Sequence, residues 1–444
     1  MKSPSKDMQK KLFFYLICTL TLIDMTNFVY LVPILPDFLL NKGISLSLIG
    51  IILSFYQISS IMTSLYLGKN LIYYSKIKII IFGQILLIIS NVGLGFINYF
   101  SSESLIIIST ILLRLLQGAS LSLVCAVFYS YIPVLFPEEL EKSYAFLEIC
   151  TGIGLALGPV IAGFLYEYTG FTLSFLIMSL VYLIFMFLVL PYMIKMNKIL
   201  EEEALKKAAE KMDEVKPIDA LKMLKNKDIL LTIMVFWFNL MSYCVIQPDF
   251  SDHIHSYHGT DDTVGMIFGL GDLTYALTGF LVMHYINKIH LSRKYLFIFG
   301  GILSMIGLLI IGPEKFTFLP RNLIVVSIGM GILGCSQMFY VPIFIPEILD
   351  ILKEIDGKAK GNEEMASALF IAGIGGISFM GSIMGGFLSD ECGFDRGMTI
   401  YALFSLGIIG IYTGMRKSTY KLTECQKKGG VLDSELALLE DTKI

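Results

Sequence analysis

The chain contains twelve apolar stretches, each about 20 residues long or more and bounded by polar or charged residues. A stretch of this length, coiled as an α-helix, is long enough to cross the hydrocarbon core of a bilayer. The sequence therefore predicts an all-α membrane protein with twelve transmembrane helices, called spans one to twelve below. They are expected near residues 12–36, 47–68, 77–98, 104–131, 143–168, 172–195, 228–248, 263–286, 295–313, 321–347, 365–389 and 395–416.

The composition agrees with a membrane location. Hydrophobic residues make up 55% of the chain and charged residues only 16%, whereas a water-soluble protein carries about a quarter charged residues. The N-terminal run MKSPSKDMQKK leads into span one without a small-residue cleavage site, so we expect a spanning helix there and not a cleaved signal peptide. The seven cysteines show no CxxC spacing, so neither a disulfide framework nor a metal site is expected, and no cofactor is predicted.

The Lys and Arg residues predict an orientation in the membrane. With a cytosolic N-terminus, 29 of the 34 basic residues fall in the tails and in the even-numbered loops, as the positive-inside rule requires. The other side carries Lys42, Lys315, Arg321 and Arg396, and Arg114 lies inside span four. Both termini are therefore expected in the cytosol. The plasma membrane and a vesicular or endolysosomal membrane both fit this topology.

An internal repeat divides the spans into two halves. Residues 145–171 align without gaps on residues 368–394, with matching glycines that include the pairs Gly152/Gly375 and Gly170/Gly393. Two parallel repeats of six helices are typical of transporters that bind substrate between the halves, near the membrane midplane. The predicted organisation is an N-terminal bundle (1–195), a charged cytosolic linker (196–227), a C-terminal bundle (228–416) and a cytosolic tail (417–444).

Five charged residues inside spans are the first functional candidates. Asp24 is expected near the middle of span one, where a carboxylate costs on the order of 3 kcal/mol or more. Arg114 is the only basic residue well inside a span, away from its ends, and Asp272 lies within span eight. Glu148 and Glu347 lie nearer the cytosolic ends of spans five and ten. Structural roles are the alternative: Asp24 would cap a helix or stabilise the fold by pairing with Arg114 or Asn27, and the two glutamates would extend toward water or form a gate contact with basic loop residues.

Two short motifs carry a resemblance to a known family. GxxxxxGPxxxG (Gly152, Gly158, Pro159, Gly163) and RLLQG (114–118) resemble signatures of the drug:proton antiporter branch of the major facilitator superfamily. The phrases LEICTGIGLALGPVIAGFLYEYTGF, VPIFIPEIL and NKGISLSLIG are similar to the vesicular polyamine transporter-type proteins. The resemblance implies the twelve-helix major facilitator fold, a conformational hinge at the glycine motif and a role for Arg114 in proton coupling. Helix packing alone is the other interpretation of the glycine motif.

The resemblance also bears on the substrate. Vesicular monoamine and acetylcholine carriers have an Asp nine residues before a Pro-x-x-Pro, and Asp24 stands nine residues before Pro33, with Pro36 following. The Asp that those carriers have in helix ten falls on Gln337 here, and the one in helix eleven falls on Ile371. A monoamine or acetylcholine substrate is therefore not expected, whereas another amine is.

These observations predict a carrier and not an enzyme. We expect a monomer that exchanges protons for an organic cation, such as a polyamine, by alternating access, with the bilayer and the substrate as partners and no nucleic acid. Asp24 would bind the cation or the proton in turn, with its proton affinity tuned by Arg114. The other three acids would add negative potential. Further candidates are hydrogen-bonding residues (Gln57, Asn239 and Gln337) and aromatic residues for a cation cage or for packing (Tyr30 and Tyr340, with Tyr56, Trp237 and Phe238).

Two other functions fit the same sequence. One is a carrier of a neutral or anionic nutrient, in which Arg114 would serve the anion. The other is a transport-inactive receptor or scaffold on the same fold, allowed by the weakened loop motif GKNLIYYSKIK (68–78). The loop 247–262 holds three of the five histidines and is expected to be solvated, with weak metal binding or sensing of an acidic lumen as alternatives.

Overall fold

The computed structural model describes residues 6–31, 34–210, 225–285, 292–356 and 362–415. These residues are helical throughout, apart from short connections, as predicted. The α-helices are Lys6–Tyr30, Ile34–Asn41, Leu46–Asn70, Lys76–Phe96, Glu103–Leu135, Leu140–Glu210, Lys227–Val245, Phe250–Ser256, Asp261–Tyr285, Arg293–Ile311, Leu323–Gln337, Val341–Asp356, Asn362–Cys392 and Phe394–Met415. The predicted tail and residues 211–224 of the predicted linker lie outside the described residues.

Spans five and six form one segment, Leu140–Glu210, that reverses direction at Gly170. The backbone there has φ 73° and ψ 179°, a conformation that favours glycine. Gly154, before the break, packs on Leu22 and Met25 of span one, and Tyr182, after it, hydrogen-bonds Asp24 of the same span. The chain therefore crosses the bundle twice in this segment. Gly393, the repeat partner of Gly170, also has a positive φ (80°), between spans eleven and twelve.

Three elements differ from the prediction in length or continuity. Span one ends at Tyr30, and a short helix, Ile34–Asn41, follows. Span ten consists of two helices, Leu323–Gln337 and Val341–Asp356, and Pro342 falls in the first turn of the second, where its missing N–H removes no helical hydrogen bond. The helix of span six runs on to Glu210, so residues 196–210 continue this span instead of starting a separate linker helix.

The helices pack closely where glycines meet the backbone of a neighbouring helix. A Cβ atom at Gly385 of span eleven would lie 2.0 Å from the carbonyl oxygen of Val245, and one at Gly118 of span four 2.2 Å from that of Tyr56. Between helices in lipid, close van der Waals packing replaces the hydrophobic effect as the main attraction. Such contacts therefore hold the spans together and fix their spacing.

The His-rich loop is not simply solvated. His253 lies on the helix Phe250–Ser256 with only 8% of its surface exposed, and its ring stacks on Phe394 at 4.1 Å between centroids. Its Nε2 is 3.0 Å from the Ile311 carbonyl oxygen, and its Nδ1 is 3.8 Å from the Asp395 carboxylate. The expectation of a solvated loop is therefore wrong at His253, because this side chain fills the space between spans nine and twelve. Within the described ranges, no three His, Cys, Asp or Glu side chains form a metal-binding group.

Substituting Gly385 tests the close packing. Gly385→Ala is expected to lower the thermal midpoint of the detergent-solubilised protein, because the added methyl group forces spans seven and eleven apart at a cost of about 1–3 kcal/mol. Gly376→Ala in the same helix is the matched control, since a Cβ atom there meets nothing within 4 Å. Equal midpoints for the two variants would contradict close packing at Gly385.

The environment of His253 predicts a pH dependence of stability. Burial lowers the pKa of His253 from 6.5 to about 4, with nearby Arg321 acting in the same direction and the Ile311 carbonyl opposing it. As the pH falls from about 6.5 to 4, the unfolded chain takes up this proton before the folded chain does, so folded stability decreases over that window. His253→Gln should flatten the fall of the thermal midpoint, whereas His255→Gln, at an exposed position of the same helix, should leave it unchanged. Parallel curves for all three proteins would argue against this account.

Candidate transport site

Asp24 points into the protein and not toward lipid. Only 2% of its surface is exposed. Gln84 of span three donates from Nε2 to both carboxylate oxygens at 3.1 and 3.2 Å, and Tyr182 of span six donates its hydroxyl to Oδ1 at 2.9 Å. The described residues around this carboxylate thus provide neutral hydrogen-bond donors and no cationic partner.

Arg114 begins a second chain of hydrogen bonds beside Asp24. Its Nη1 donates to Gln117 at 3.0 Å, Gln117 donates to Asn91 at 2.9 Å, and Asn91 donates to Asn27 at 2.8 Å. These residues come from spans one, three and four. The guanidinium charge is therefore stabilised by amide groups inside the N-terminal bundle, and the described residues form no direct Asp24–Arg114 or Asp24–Asn27 pair.

One small cavity joins the two networks. Asp24, Asn27, Arg114 and Gln117 line it together with the ring of Tyr56, and the rest of its wall is apolar. The Arg114 guanidinium lies 4.9 Å from the Tyr56 ring centre, a cation–π distance. The free space is about enough for one water molecule, so this conformation is an occluded one at Asp24.

Three buried polar atoms near the cavity have no hydrogen-bond partner among the described residues: Tyr56 Oη, Arg114 Nε and Gln57 Oε1. Buried polar atoms in native proteins are nearly always satisfied, by protein, water or ligand. Tyr56 and Gln57 are neighbours on span two, and Arg114 faces Tyr56. Tyr56 and Arg114 line the cavity, so their unpartnered atoms are available to a group that occupies it.

Glu148 occupies a different place, between the two halves. It is 3% exposed. Tyr129 of span four donates to its Oε1 at 2.5 Å, and Tyr275 of span eight donates to its Oε2 at 2.6 Å. Glu148 and Tyr129 belong to the N-terminal half, spans one to six, whereas Tyr275 belongs to the C-terminal half, spans seven to twelve. The carboxylate thus links the halves directly.

Ion pairs link the halves at the end of the bundle predicted to be cytosolic. Lys76 at the start of span three pairs with Glu364 at the start of span eleven at 2.9 Å. Arg293 at the start of span nine pairs with Glu141 at the start of span five, and within its own half with Asp350 at 2.6 Å.

Glu347, a candidate for the substrate cavity, lies in this second cluster. Its Oε2 is 3.5 Å from Nη1 of Arg293. This position matches the alternative of a contact to a basic loop residue, and it places Glu347 away from Asp24.

The remaining candidates lie apart from the Asp24 cavity. Asp272 accepts a hydrogen bond from Tyr243 at 3.1 Å. Tyr340 donates to the Asn239 carbonyl oxygen at 3.1 Å in the core of the C-terminal half. Gln337 is partly buried at the end of the first helix of span ten, and Tyr30 packs on Phe175 at 5.7 Å between ring centroids.

The glycine motif of span five is a packing surface in this conformation. A Cβ atom at Gly158 would meet Val29 and the Thr26 carbonyl oxygen of span one, and one at Gly152 would meet Tyr275 of span eight. Pro159 and Gly163 are exposed, and non-helical backbone angles in this segment occur at Gly170, not at Pro159. The motif therefore supports packing on both sides of span five, and its role as a hinge stays a prediction.

The sequence did not reveal the residues that form hydrogen bonds with the buried charged groups. They are neutral and polar: Gln84 and Tyr182 at Asp24, Asn91 and Gln117 beside Arg114, and Tyr129 and Tyr275 at Glu148. Gln117 lies within the RLLQG motif, so its position beside Arg114 could have been inferred from that motif. The others occur in apolar stretches whose helical face the sequence does not reveal.

Comparison with known proteins agrees with this architecture. The sequence pattern of the Major Facilitator Superfamily matches residues 17–348. A Rattus norvegicus protein named MFS-type transporter SLC18B1 is 24% identical over 450 residues, covering 98% of this chain and 94% of the rat protein. The Homo sapiens protein of the same name is 24% identical and covers 86% of this chain and 81% of its own length.

Solved structures show the same fold. The proton:xylose symporter XylE bound to 6-bromo-6-deoxy-D-glucose superposes with a TM-score of 0.67 at 15% identity, over 94% of this chain and 97% of that one. XylE from E. coli in a partially occluded inward open conformation gives a TM-score of 0.68 at 14% identity, over 95% and 100%. With a family match over most of its length and the same fold in its described residues, the chain belongs to the Major Facilitator Superfamily of multi-pass membrane transporters.

Proposed function

We propose that this protein exchanges protons for an organic cation, a polyamine or related amine, by alternating access. The observation that carries the proposal is the Asp24 carboxylate, which is buried in a small cavity and held by the neutral donors Gln84 and Tyr182. A buried carboxylate without a cationic partner is stabilised by binding either a proton or a cation. One group that binds either of two cations, and not both, is what an exchanger needs.

Arg114 limits the cavity to one bound cation at a time. Its guanidinium lines the same cavity as Asp24 and keeps its positive charge. Two positive charges at Asp24 would repel each other and Arg114, so the cavity favours a single bound cation. The resemblance of the chain to vesicular polyamine-type carriers supports an amine as that cation.

The contacts between the halves support alternating access. Lys76–Glu364, Arg293–Glu141 and the Glu148–Tyr275 hydrogen bond all lie toward the predicted cytosolic end. Release of these contacts would open that end while the N-terminal network around Asp24 stays intact, since its hydrogen bonds lie within one half.

Transport by purified protein in proteoliposomes tests the proposal. With an imposed pH gradient, the wild type is expected to accumulate radiolabelled spermidine, and Asp24→Asn to fall to background because the amide neither binds a proton nor attracts an ammonium group. Asp390→Asn is the control, since Asp390 is an exposed acid on span eleven. Full activity of Asp24→Asn would remove Asp24 from the site.

Uptake and competition in the same proteoliposomes distinguish an amine substrate from a neutral or anionic one. Absence of gradient-driven spermidine uptake by the wild type would overturn the amine proposal. Competition by sugars or by carboxylates, and not by amines, would then identify a neutral or anionic substrate.

A charge swap tests the ion pair between spans three and eleven. Lys76→Glu is expected to reduce gradient-driven transport several-fold, because it places a third acid beside Glu363 and Glu364 and prevents closure of the predicted cytosolic end. The double variant Lys76→Glu with Glu364→Lys should recover most of the rate. No recovery would indicate that Lys76 acts through another contact.

A further inference from the structure

Coupling between protons and conformation needs a group whose surroundings differ between the two states of the carrier. A ligand or proton shifts a conformational equilibrium only when it binds the two states with different affinity. Gln84 and Tyr182 belong to the same half as Asp24, so all three move together when the halves rock. The hydrogen bonds of Asp24 therefore leave open how its proton would be linked to the opening of the carrier.

The hydrogen-bond partners of Glu148, unlike those of Asp24, come from both halves. One of its phenol donors, Tyr129, belongs to its own half, and the other, Tyr275, belongs to the opposite half. The surrounding packing is also shared, since the Tyr129 ring lies 4.9 Å from Phe370 of span eleven, and Gly152, one turn from Glu148, packs on Tyr275. Separation of the halves would therefore break the Tyr275 hydrogen bond and change the solvation of the carboxylate.

We propose that Glu148 is the proton-sensitive latch of the carrier: its ionised carboxylate holds the halves together through Tyr275, and its protonation favours opening of the predicted cytosolic end. This inference rests on the proposed proton-coupled function and adds the residue that links the proton to conformation. Asp24 remains the group that binds the cation or a proton in turn, and Glu148 controls the opening of the predicted cytosolic end.

The geometry supports an ionised carboxylate in the closed state. Tyr129 and Tyr275 each donate to a different oxygen of this carboxylate, and hydrogen bonds to a charged carboxylate are about twice as strong as neutral ones. A proton that binds to a carboxylate oxygen removes the charge and takes up one of the acceptor positions. The link to Tyr275 is then weaker, and the proton returns to water at the open end once the halves separate.

Few other titratable groups surround this carboxylate. They are Tyr129 and Cys125 of span four, Cys150 of its own helix and Tyr275 of span eight. In the described part of the chain, no Lys, Arg or His pairs with Glu148. Whether Glu148 holds the halves together thus depends on the protonation of its carboxylate and on the two phenol donors.

Distances between spin labels at the predicted cytosolic end test the latch without a known substrate. Tyr73→Cys and Tyr295→Cys place labels on exposed positions of the two halves, in a chain in which Cys392 and Cys425 are replaced by Ser. The wild type is expected to shift toward longer distances as the pH falls. Glu148→Gln should show the long distance at every pH, because the amide cannot carry the charge.

Two phenol variants form a matched pair. Tyr275→Phe removes the hydrogen bond between the halves and should raise the open-to-closed ratio about tenfold. Tyr401→Phe removes a buried phenol that donates to the Phe238 carbonyl oxygen at 2.7 Å, within the C-terminal half, and should keep the distances and the pH response of the wild type. Both variants test the latch even if Glu148→Gln fails to fold.

The outcomes separate this inference from the proposed function. A wild-type pH response retained in Glu148→Gln, or equal shifts in the two phenol variants, would overturn the latch whatever the substrate. Failure of spermidine uptake with the expected distance changes would instead overturn the substrate and keep the latch. In the liposomes, Glu148→Gln should lose gradient-driven uptake, and retained gradient-driven uptake would count against the latch.

Discussion

A charged group that is buried inside a membrane protein has to be stabilised by that protein, since lipid offers no hydrogen bonds. Asp24, Arg114 and Glu148 are stabilised in three ways. Asp24 is held by an amide and a phenol from its own half, Arg114 by a row of amides and an aromatic ring, and Glu148 by phenols from both halves. The location of the donors, and not the charge itself, decides which group is sensitive to movement of the halves.

The same constraint shapes the helix packing. Helices in lipid associate through close contact, so glycines replace larger residues where backbones meet, as at Gly118 and Gly385. Each half is therefore closely packed within itself. The contacts between the halves include ion pairs and a hydrogen bond that involve partly exposed or polar side chains, which water can replace when the halves separate. Glycine contacts also occur between the halves, as at Gly152 with Tyr275, so the boundary combines close packing with polar contacts that water can replace.

The sequence was sufficient to predict the helices and the repeat, because both depend on local composition. Apolar length located the spans, and the repeat aligned Gly170 with Gly393, both of which have a positive φ in the structure (73° and 80°). The break in span ten and the continuation of span six to Glu210 were not predicted, since a polar residue in an apolar run does not show where a helix ends.

The site was predictable only in part. An acid in an apolar run is rare and therefore conspicuous, so Asp24 and Glu148 were found. The chain has 23 tyrosines, however, and nothing in their spacing distinguishes Tyr129, Tyr182 and Tyr275 from the rest. Which tyrosine meets which acid depends on the rotation of each helix and on contacts between residues far apart in sequence. The positions of Glu347 beside Arg293 and of His253 beside Phe394 depend on the same long-range contacts.

The reversal at Gly170 has a mechanical consequence. A single non-helical residue joins spans five and six, so there is no loop between them to absorb movement. Span five carries Glu148 at the boundary between the halves, and span six carries Tyr182, which holds Asp24. The two spans therefore move as one rigid unit, which reaches the boundary between the halves on one side and the buried cavity on the other. A displacement that starts when Tyr275 is released would then carry Asp24 and its phenol donor along together, with their hydrogen bond unchanged.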